Sequence, residues 1–443
     1  MPVTTRRRHL RLAGTATAAL LTLSIPTAAS AATAPTMHAS NATTTGAAGR
    51  SPEADHRSGV DRPALDATLK AVHDAGMYGA YSAVRNGSAA WQGASGVADV
   101  DTGRPTTPRM RHRIGSITKT FTSVAVLQEV GKGHIELDAP IGRYLPDLVP
   151  GERGRTITVR MLLNHTSGIG DYGPAIFATA DSIEGNRFHQ FDPRELARLG
   201  LKAKPLGKPG QAHHYSNTNY VLAGLLLQKV TGTPPEAYIT EHVIRKAGLR
   251  HTYFPRSAYL TGPHAKMYEA AHGGFNPPRD FSVYNASWAG TAGSLVSTMP
   301  DLNHFYRALL GGELLAPAQL RQMKTTVPIE GSRLRYGLGL FTQHLPCGEF
   351  WGHDGLVLGA MTLSMTSADG QRQISLGINL TRYQKLDAHG VPQPGPIDAA
   401  LEAHIAQALC GTRDSLLPGP TDPNPLNSLL LAPQEYPLPV RHQ

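Results

Sequence analysis

The sequence predicts an α/β (α+β) domain in which an antiparallel sheet is flanked by the N- and C-terminal helices and carries an inserted, mostly helical segment. Three observations lead there. A helix signal followed by a hairpin signal begins near residue 61. A turn between two apolar runs, followed by a helix, occupies residues 361–409 at the other end. The stretch between, roughly 135–285, shows helical patterns where strands would alternate.

Asp61 can cap a helix with Pro63 in its first turn, and Leu65, Leu69 and Val72 make its apolar stripe until Gly76 ends it. Met77 to Arg85 and Ser88 to Val97 read as strands around Asn86-Gly87, the dipeptide suited to a two-residue hairpin turn. Ser116 to Gly131 reads as a helix that buries Ile117, Phe121, Val124 and Leu127. In the middle segment, Tyr220 to Val230 is the clearest helix. Thr298-Met299-Pro300-Asp301 has the layout of a capping box ahead of another. Tyr336 to His344, Met361 to Thr366 and Gln373 to Leu380 read as strands, with Asp369-Gly370 as a turn. Pro396 to Leu409 closes the domain as a helix with Ile397, Leu401, Ile405 and Leu409 on one face.

The domain is expected to span residues 59–411. Before it, Arg6, Arg7, Arg8 and Arg11, the apolar run Leu12 to Ile25 and Ala29-Ser30-Ala31 form a signal peptide over 1–31. Thr5 to Leu10 partly matches a twin-arginine signal, so the export route stays open. Residues 32–58 read as a flexible lead-in, and 412–443 as a proline-rich disordered tail. Removing the signal takes four arginines and no acid, so the formal net charge falls from +9 to +5. That mild excess suits an anionic cell envelope and argues against nucleic acid as partner. The apolar runs are too short for a stable membrane anchor. In an exported chain, Cys347 and Cys410 are candidates for a disulfide.

Three short motifs carry chemistry. Ser116-Ile117-Thr118-Lys119 puts a hydroxyl and an amine three residues apart, neighbours on a helical surface. Serine is a poor nucleophile unless an adjacent group takes its proton. A helix N-terminus also favours developing negative charge. Alone, the same residues read equally well as a helix start with a solvated lysine. Tyr215-Ser216-Asn217 precedes the Tyr220 helix: a phenol near a cation can act as a base, and the amide of Asn217 can hold a substrate carbonyl. Alone, Asn217 reads as an N-cap. Trp351-Gly352-His353-Asp354-Gly355 reads as a glycine-flanked junction between two strands, with His353 as a source of positive character. His165, His213 and His214 complete no metal-ligand spacing, and no phosphate loop or Gly-x-Ser-x-Gly elbow is present. No cofactor or metal is expected.

Together and in this order, Ser116-x-x-Lys119, Tyr215-x-Asn217 and His353-x-Gly355 resemble the serine β-lactamase and penicillin-binding family, on its class C and D-alanyl-D-alanine carboxypeptidase side. Leu162 to Gly168, Tyr215 to Gly224 and Tyr336 to Gly339 look like it too, so the resemblance covers about residues 60–410. It implies the β-lactamase/transpeptidase-like fold. It implies Ser116 as acylated nucleophile, Lys119 as its proton partner, Tyr215 as general base and acid, and His353 as electrostatic support. Asn217 would position the substrate amide, and the N–H groups of Ser116 and Leu356 beside Gly355 would form an oxyanion hole. Such a donor contributes ~3–4 kcal/mol.

With secretion expected from the signal peptide, the resemblance further implies an enzyme, expected to be a monomer, acting on peptide or small-molecule acyl substrates, peptidoglycan stem peptides and β-lactams among them. D-alanyl-D-alanine carboxypeptidase is the expected activity. Esterase, β-lactamase and D-aminopeptidase are competitors on the same site, and a catalytically silent binding module is the alternative of a different class. Two departures bear on this choice. His353 stands where class C β-lactamases usually have lysine. Asp354 stands where the family commonly has threonine, and an ionised aspartate would repel a substrate carboxylate.

Overall fold

A computed structural model of the chain describes residues 59–411. The expected signal peptide, lead-in and proline-rich tail lie outside the described residues. Helix α1, Arg62–Asp74, starts where the side chain of Asp61 accepts the N–H of Ala64 at 3.1 Å, and it buries Leu65, Leu69 and Val72. Strands β1, Gly79–Asn86, and β2, Ala89–Asp99, follow as a hairpin, with Gly87 in the left-handed region its turn requires. The short β3 is Arg104–Pro105.

At the far end come β4 Val327–Pro328, β5 Arg335–Tyr336, β6 Phe341–Leu345, β7 Gly348–Val357, β8 Ala360–Ser367 and β9 Arg372–Ile378. Among the described residues the main sheet has nine strands in the order β3-β2-β1-β9-β8-β7-β6-β5-β4. Its pairs are antiparallel, and the two ends of the chain meet in register at β1 and β9, with Ala80 opposite Ile378.

One sheet face is covered by α1 and the closing helix. Leu65, Leu69 and Val72 join Leu401, Ile405 and Leu409 over Val84, Phe350, Leu363, Met365 and Ile374. Fully burying each such side chain contributes about 1.5–3 kcal/mol. Against the opposite face lies the helix Met299–Leu310, whose Phe305 stacks on Phe121 of α2, Thr118–Gly131, which also buries Val124 and Leu127. The other helices that matter are α3 Asn217–Thr231, α4 Gly290–Gly293, α5 Met299–Leu310 and the closing α6 Pro396–Cys410. Thr298 caps α5 through the N–H of Asp301. Asn303 on α5 then pins that helix to the sheet: its Nδ2 donates to Ala83 O at 2.9 Å and its Oδ1 accepts from Ser375 at 2.8 Å.

Two expectations are corrected. The α- and π-helices of the inserted segment stop at Arg245. The rest of 135–285 carries the single 3-10 turn Ala271–Gly273 and the short strands Tyr268–Glu269 and Arg279–Asp280, because Pro255, Pro263, Pro277 and Pro278 break helical continuity. Residues 351–355 do not join two strands; they lie inside β7. Two glycines and two polar residues hide its alternation, and the glycines exist for close backbone contact. At Gly352 a Cβ would stand 1.8 Å from Ser364 O. No helix among the described residues is long and apolar enough to cross a membrane.

Candidate active site

Ser116 sits in a single 3-10 turn, Gly115–Ile117, that runs directly into α2. Gly115 has φ 51°, a backbone state that costs little only without a Cβ. Strand β7 passes against this turn. A Cβ on Gly355 would stand 2.0 Å from Ile114 O and 2.8 Å from Ser116 N. A Cβ on Gly115 would stand 2.8 Å from both Gly355 C and Leu356 N. The two glycines thus let the turn and the strand touch, and bring the N–H groups of Ser116 and Leu356 to one junction.

The edge beside that junction is open. Strand β7 pairs with β8 from Phe350 to Val357, but with β6 only from Gly348 to Gly352. Beyond Gly352, the β6 side of β7 has no strand partner among the described residues. An extended substrate backbone could lie there.

Lys119 is wholly buried, and its hydrogen-bond partners include Ser116 Oγ at 2.6 Å, Asn217 Oδ1 at 2.7 Å and Ala292 O of α4 at 2.8 Å. Asn217 Oδ1 and Ala292 O can only accept. They claim two hydrogens on Nζ whether the group is an ammonium or a neutral amine. Nζ also lies within hydrogen-bond distance of Ser116 Oγ, so it either donates to Oγ or takes the serine proton without moving. The nitrogen is held where a proton transfer requires it.

Asn217 is the first residue of α3 and not its cap. Ser216 holds the cap position but makes no cap bond with its side chain; its Oγ donates to Gly170 O. The α3 N-terminus is served instead by Asp171, whose Oδ2 accepts Asn217 N at 2.6 Å and Asn217 Nδ2 at 3.1 Å, while Oδ1 accepts Gly173 N at 2.6 Å. Burial pushes the Asp171 carboxyl up to about 6, against the pull of these donors and of Lys119.

Tyr215 precedes α3 with Lys119 Nζ 4.8 Å from its ring centre. The ring stacks at 4.1 Å on His165, a residue with φ 60°. Nδ1 of His165 accepts Ser216 N at 3.2 Å and faces Asn219 Nδ2 at 3.2 Å, which puts the neutral ring's proton on Nε2. Burial, with His213, Lys119 and His353 nearby, holds the His165 pKa well below its ordinary value. A neutral ring therefore supports Tyr215.

His353 and Gly355 are buried in β7, with Gly355 against the Ile114–Ser116 turn, while Asp354 and Leu356 keep partial exposure. His353 Nε2 meets the Tyr336 hydroxyl at 2.8 Å, and Nδ1 faces Asp354 O at 2.5 Å and Asp354 Oδ1 at 3.5 Å. Cys347 and Cys410 are bonded to each other and tie the β6–β7 turn to the end of α6. Among the described residues no group of three or more His, Cys, Asp or Glu could hold a metal ion.

The structure thus gathers Ser116, Lys119, Asn217, Tyr215, Gly355 and Leu356 around one junction. Sequence reasoning missed Asp171, Ala292 and the roles of His165 and Tyr336. His165 and Tyr336 stood inside stretches singled out in the sequence. Asp171 follows one of them by three residues, but no local spacing links it to Asn217. Such a constellation can attack an acyl carbon, hold the oxyanion and move a proton.

Comparison with known proteins agrees with this geometry. A family model described as Beta-lactamase matches residues 65–391. The chain is 35% identical to a D-stereospecific amidohydrolase from Streptomyces sp., covering 80% of this chain and 99% of that one at a TM-score of 0.70. It is 27% identical to a D-amino acid amidase from Ochrobactrum anthropi SV3, covering 72% of this chain and 91% of that one at a TM-score of 0.65. A 228-residue match at 29% identity joins it to Protein flp of Staphylococcus aureus (strain MW2). The match takes in 51% of this chain but only 43% of that relative's length.

Proposed function

Because this chain belongs to the Beta-lactamase family of serine hydrolases, we propose that it cleaves amides of D-amino acids through an acyl-enzyme at Ser116. The observation that carries the reading is the 2.6 Å contact between Ser116 Oγ and the buried Lys119 Nζ, made where the Ser116 turn touches the backbone of Gly355 and Leu356. Oγ attacks the substrate carbonyl and its proton passes to Lys119 or to the Tyr215 phenolate. The N–H groups of Ser116 and Leu356 hold the oxyanion. Tyr215 then returns a proton to the departing amine, and the C–N bond breaks to leave an ester on Ser116. Water adds to that ester by the reverse sequence and releases the acid. Asn217 steers the substrate amide with the Nδ2 hydrogen that Asp171 does not hold.

Amides are preferred here over carboxylate-ended peptides for two reasons. Asp354, partly exposed beside the oxyanion junction, would meet a terminal carboxylate with like charge. The similarity to the Streptomyces amidohydrolase extends over 99% of that protein. D-alanyl-D-alanine carboxypeptidase is the second reading, favoured by His353, which stands where β-lactamases usually carry lysine. The arginine-rich start, the apolar run after it and the Cys347–Cys410 bond support export to an oxidising compartment.

A substrate panel on the purified protein tests the reading: D- and L-amino-acid amides, a diacetyl-Lys-D-Ala-D-Ala peptide, p-nitrophenyl esters and a chromogenic cephalosporin. Turnover of D-amides that Ser116→Ala abolishes is the expected result. Preferred turnover of the D-Ala-D-Ala peptide would replace it with the second reading. Absence of any adduct with fluorophosphonates, activated esters or β-lactams would sink both.

A further inference from the structure

We propose that Asp171 is a positioning residue for acylation, setting the amide plane of Asn217 and through it the placement of Lys119 against Ser116. The inference deepens the proposed function and rests on its assignment of Ser116 and Lys119.

The argument starts from donors and acceptors. Asn217 Oδ1 accepts from Lys119 at 2.7 Å, and its Nδ2 donates to Asp171 at 3.1 Å. Flipping this amide would turn Nδ2 toward the lysine, donor against donor. A carboxylate accepts only, so Asp171 forbids the flip. It holds the same residue by the backbone as well, since Asn217 N donates to the same Oδ2 at 2.6 Å. Its other oxygen is anchored by Gly173 N at 2.6 Å. The chain Gly173–Asp171–Asn217–Lys119–Ser116 is continuous in hydrogen bonds, and it crosses three segments far apart in sequence.

Asp171→Asn is the informative variant because its volume is unchanged. Both sides of residue 171 face N–H donors and need an acceptor. An asparagine has only one acceptor oxygen, so one contact becomes donor against donor in either orientation. Phosphonylation of Ser116 by a fluorophosphonate reads the acylation step directly. Asp171→Asn should react at least tenfold more slowly than wild type, and on an accepted substrate kcat should fall while KM stays within about twofold.

A role confined to folding would give the same drop in any background, so the variant is also made with Asn217→Ala. There the further loss from Asp171→Asn should shrink to less than twofold, because the residue it acts through is gone. An equal loss in both backgrounds, or phosphonylation of Asp171→Asn at the wild-type rate, overturns the inference. Labelling of Ser116→Ala as fast as wild type would instead overturn the proposed function itself.

Discussion

Gly355 lies against Ser116 so closely that a Cβ on it would stand 2.8 Å from the serine's backbone nitrogen. This approach joins the strand that carries Leu356 to the turn that carries the nucleophile, and it leads to the first prediction. Gly355→Ala must push β7 away from Ile114 and Ser116, since backbone cannot yield as a side chain does. Overpacking of this kind costs about 1–3 kcal/mol. Displacing the Leu356 donor should slow acylation by about 10²–10³-fold. Fluorophosphonate labelling and a thermal melt measure the two effects, and labelling at the wild-type rate would refute the oxyanion assignment.

Lys119→Met keeps the length of the buried side chain and removes its hydrogens. Acylation should fall by about 10²–10⁴-fold, the range for a positioned proton acceptor. Asn217 Oδ1 and Ala292 O each lose a donor, at about 1–3 kcal/mol per buried group. Retained single-turnover acylation would mean that another group takes the serine proton.

Asp354 should govern charge preference. Two like charges about 4 Å apart repel by ~1 kcal/mol in water and ~4 kcal/mol at an effective dielectric of 20. Partial exposure puts Asp354 toward the lower figure. Asp354→Thr is therefore expected to raise kcat/KM for a D-Ala-D-Ala peptide relative to a D-amide by roughly five- to tenfold. An unchanged ratio would remove Asp354 from the specificity argument.

Asp171 links activity and stability with opposite signs. Its folded pKa is raised to about 6, above the ordinary ~3.9. Between these values the folded chain holds a proton that the unfolded chain has lost, so stability falls as pH rises through this window. The ionised form is the one that accepts both donors of Asn217, so activity should rise through the same window. Urea midpoints and kcat/KM from pH 4 to 7 read both trends. In Asp171→Asn the stability slope assigned to this residue should vanish.

The bond between Cys347 and Cys410 closes a loop with a sequence separation of 63. Chain-entropy reasoning gives such a loop about 4 kcal/mol. The Cys347→Ser/Cys410→Ser double variant should lose about that much in denaturant unfolding while Ser116 still labels. Loss of labelling in protein that remains folded would connect this bond to the site.

Much of the fold was legible in residues whose signals are local. Asp61 with Leu65, Leu69 and Val72, Asn86-Gly87, and the Leu401–Ile405–Leu409 stripe each marked an element that the structure contains. Strand β7 was not legible as a strand. Gly352 and Gly355 are there for backbone contacts made by other elements, which erases the alternation a strand normally displays.

Sequence by itself determined the terminal helices, the first hairpin and the order of the reactive groups, because periodicity, turn chemistry and the three-residue spacing of Ser116 and Lys119 act within a few residues. Only the tertiary structure decided that Asp171 holds Asn217, that Ala292 O accepts from the lysine and that His165 lies under Tyr215. Those contacts join segments dozens of residues apart, and what selects them is the need of buried donors and acceptors for partners once the core has closed.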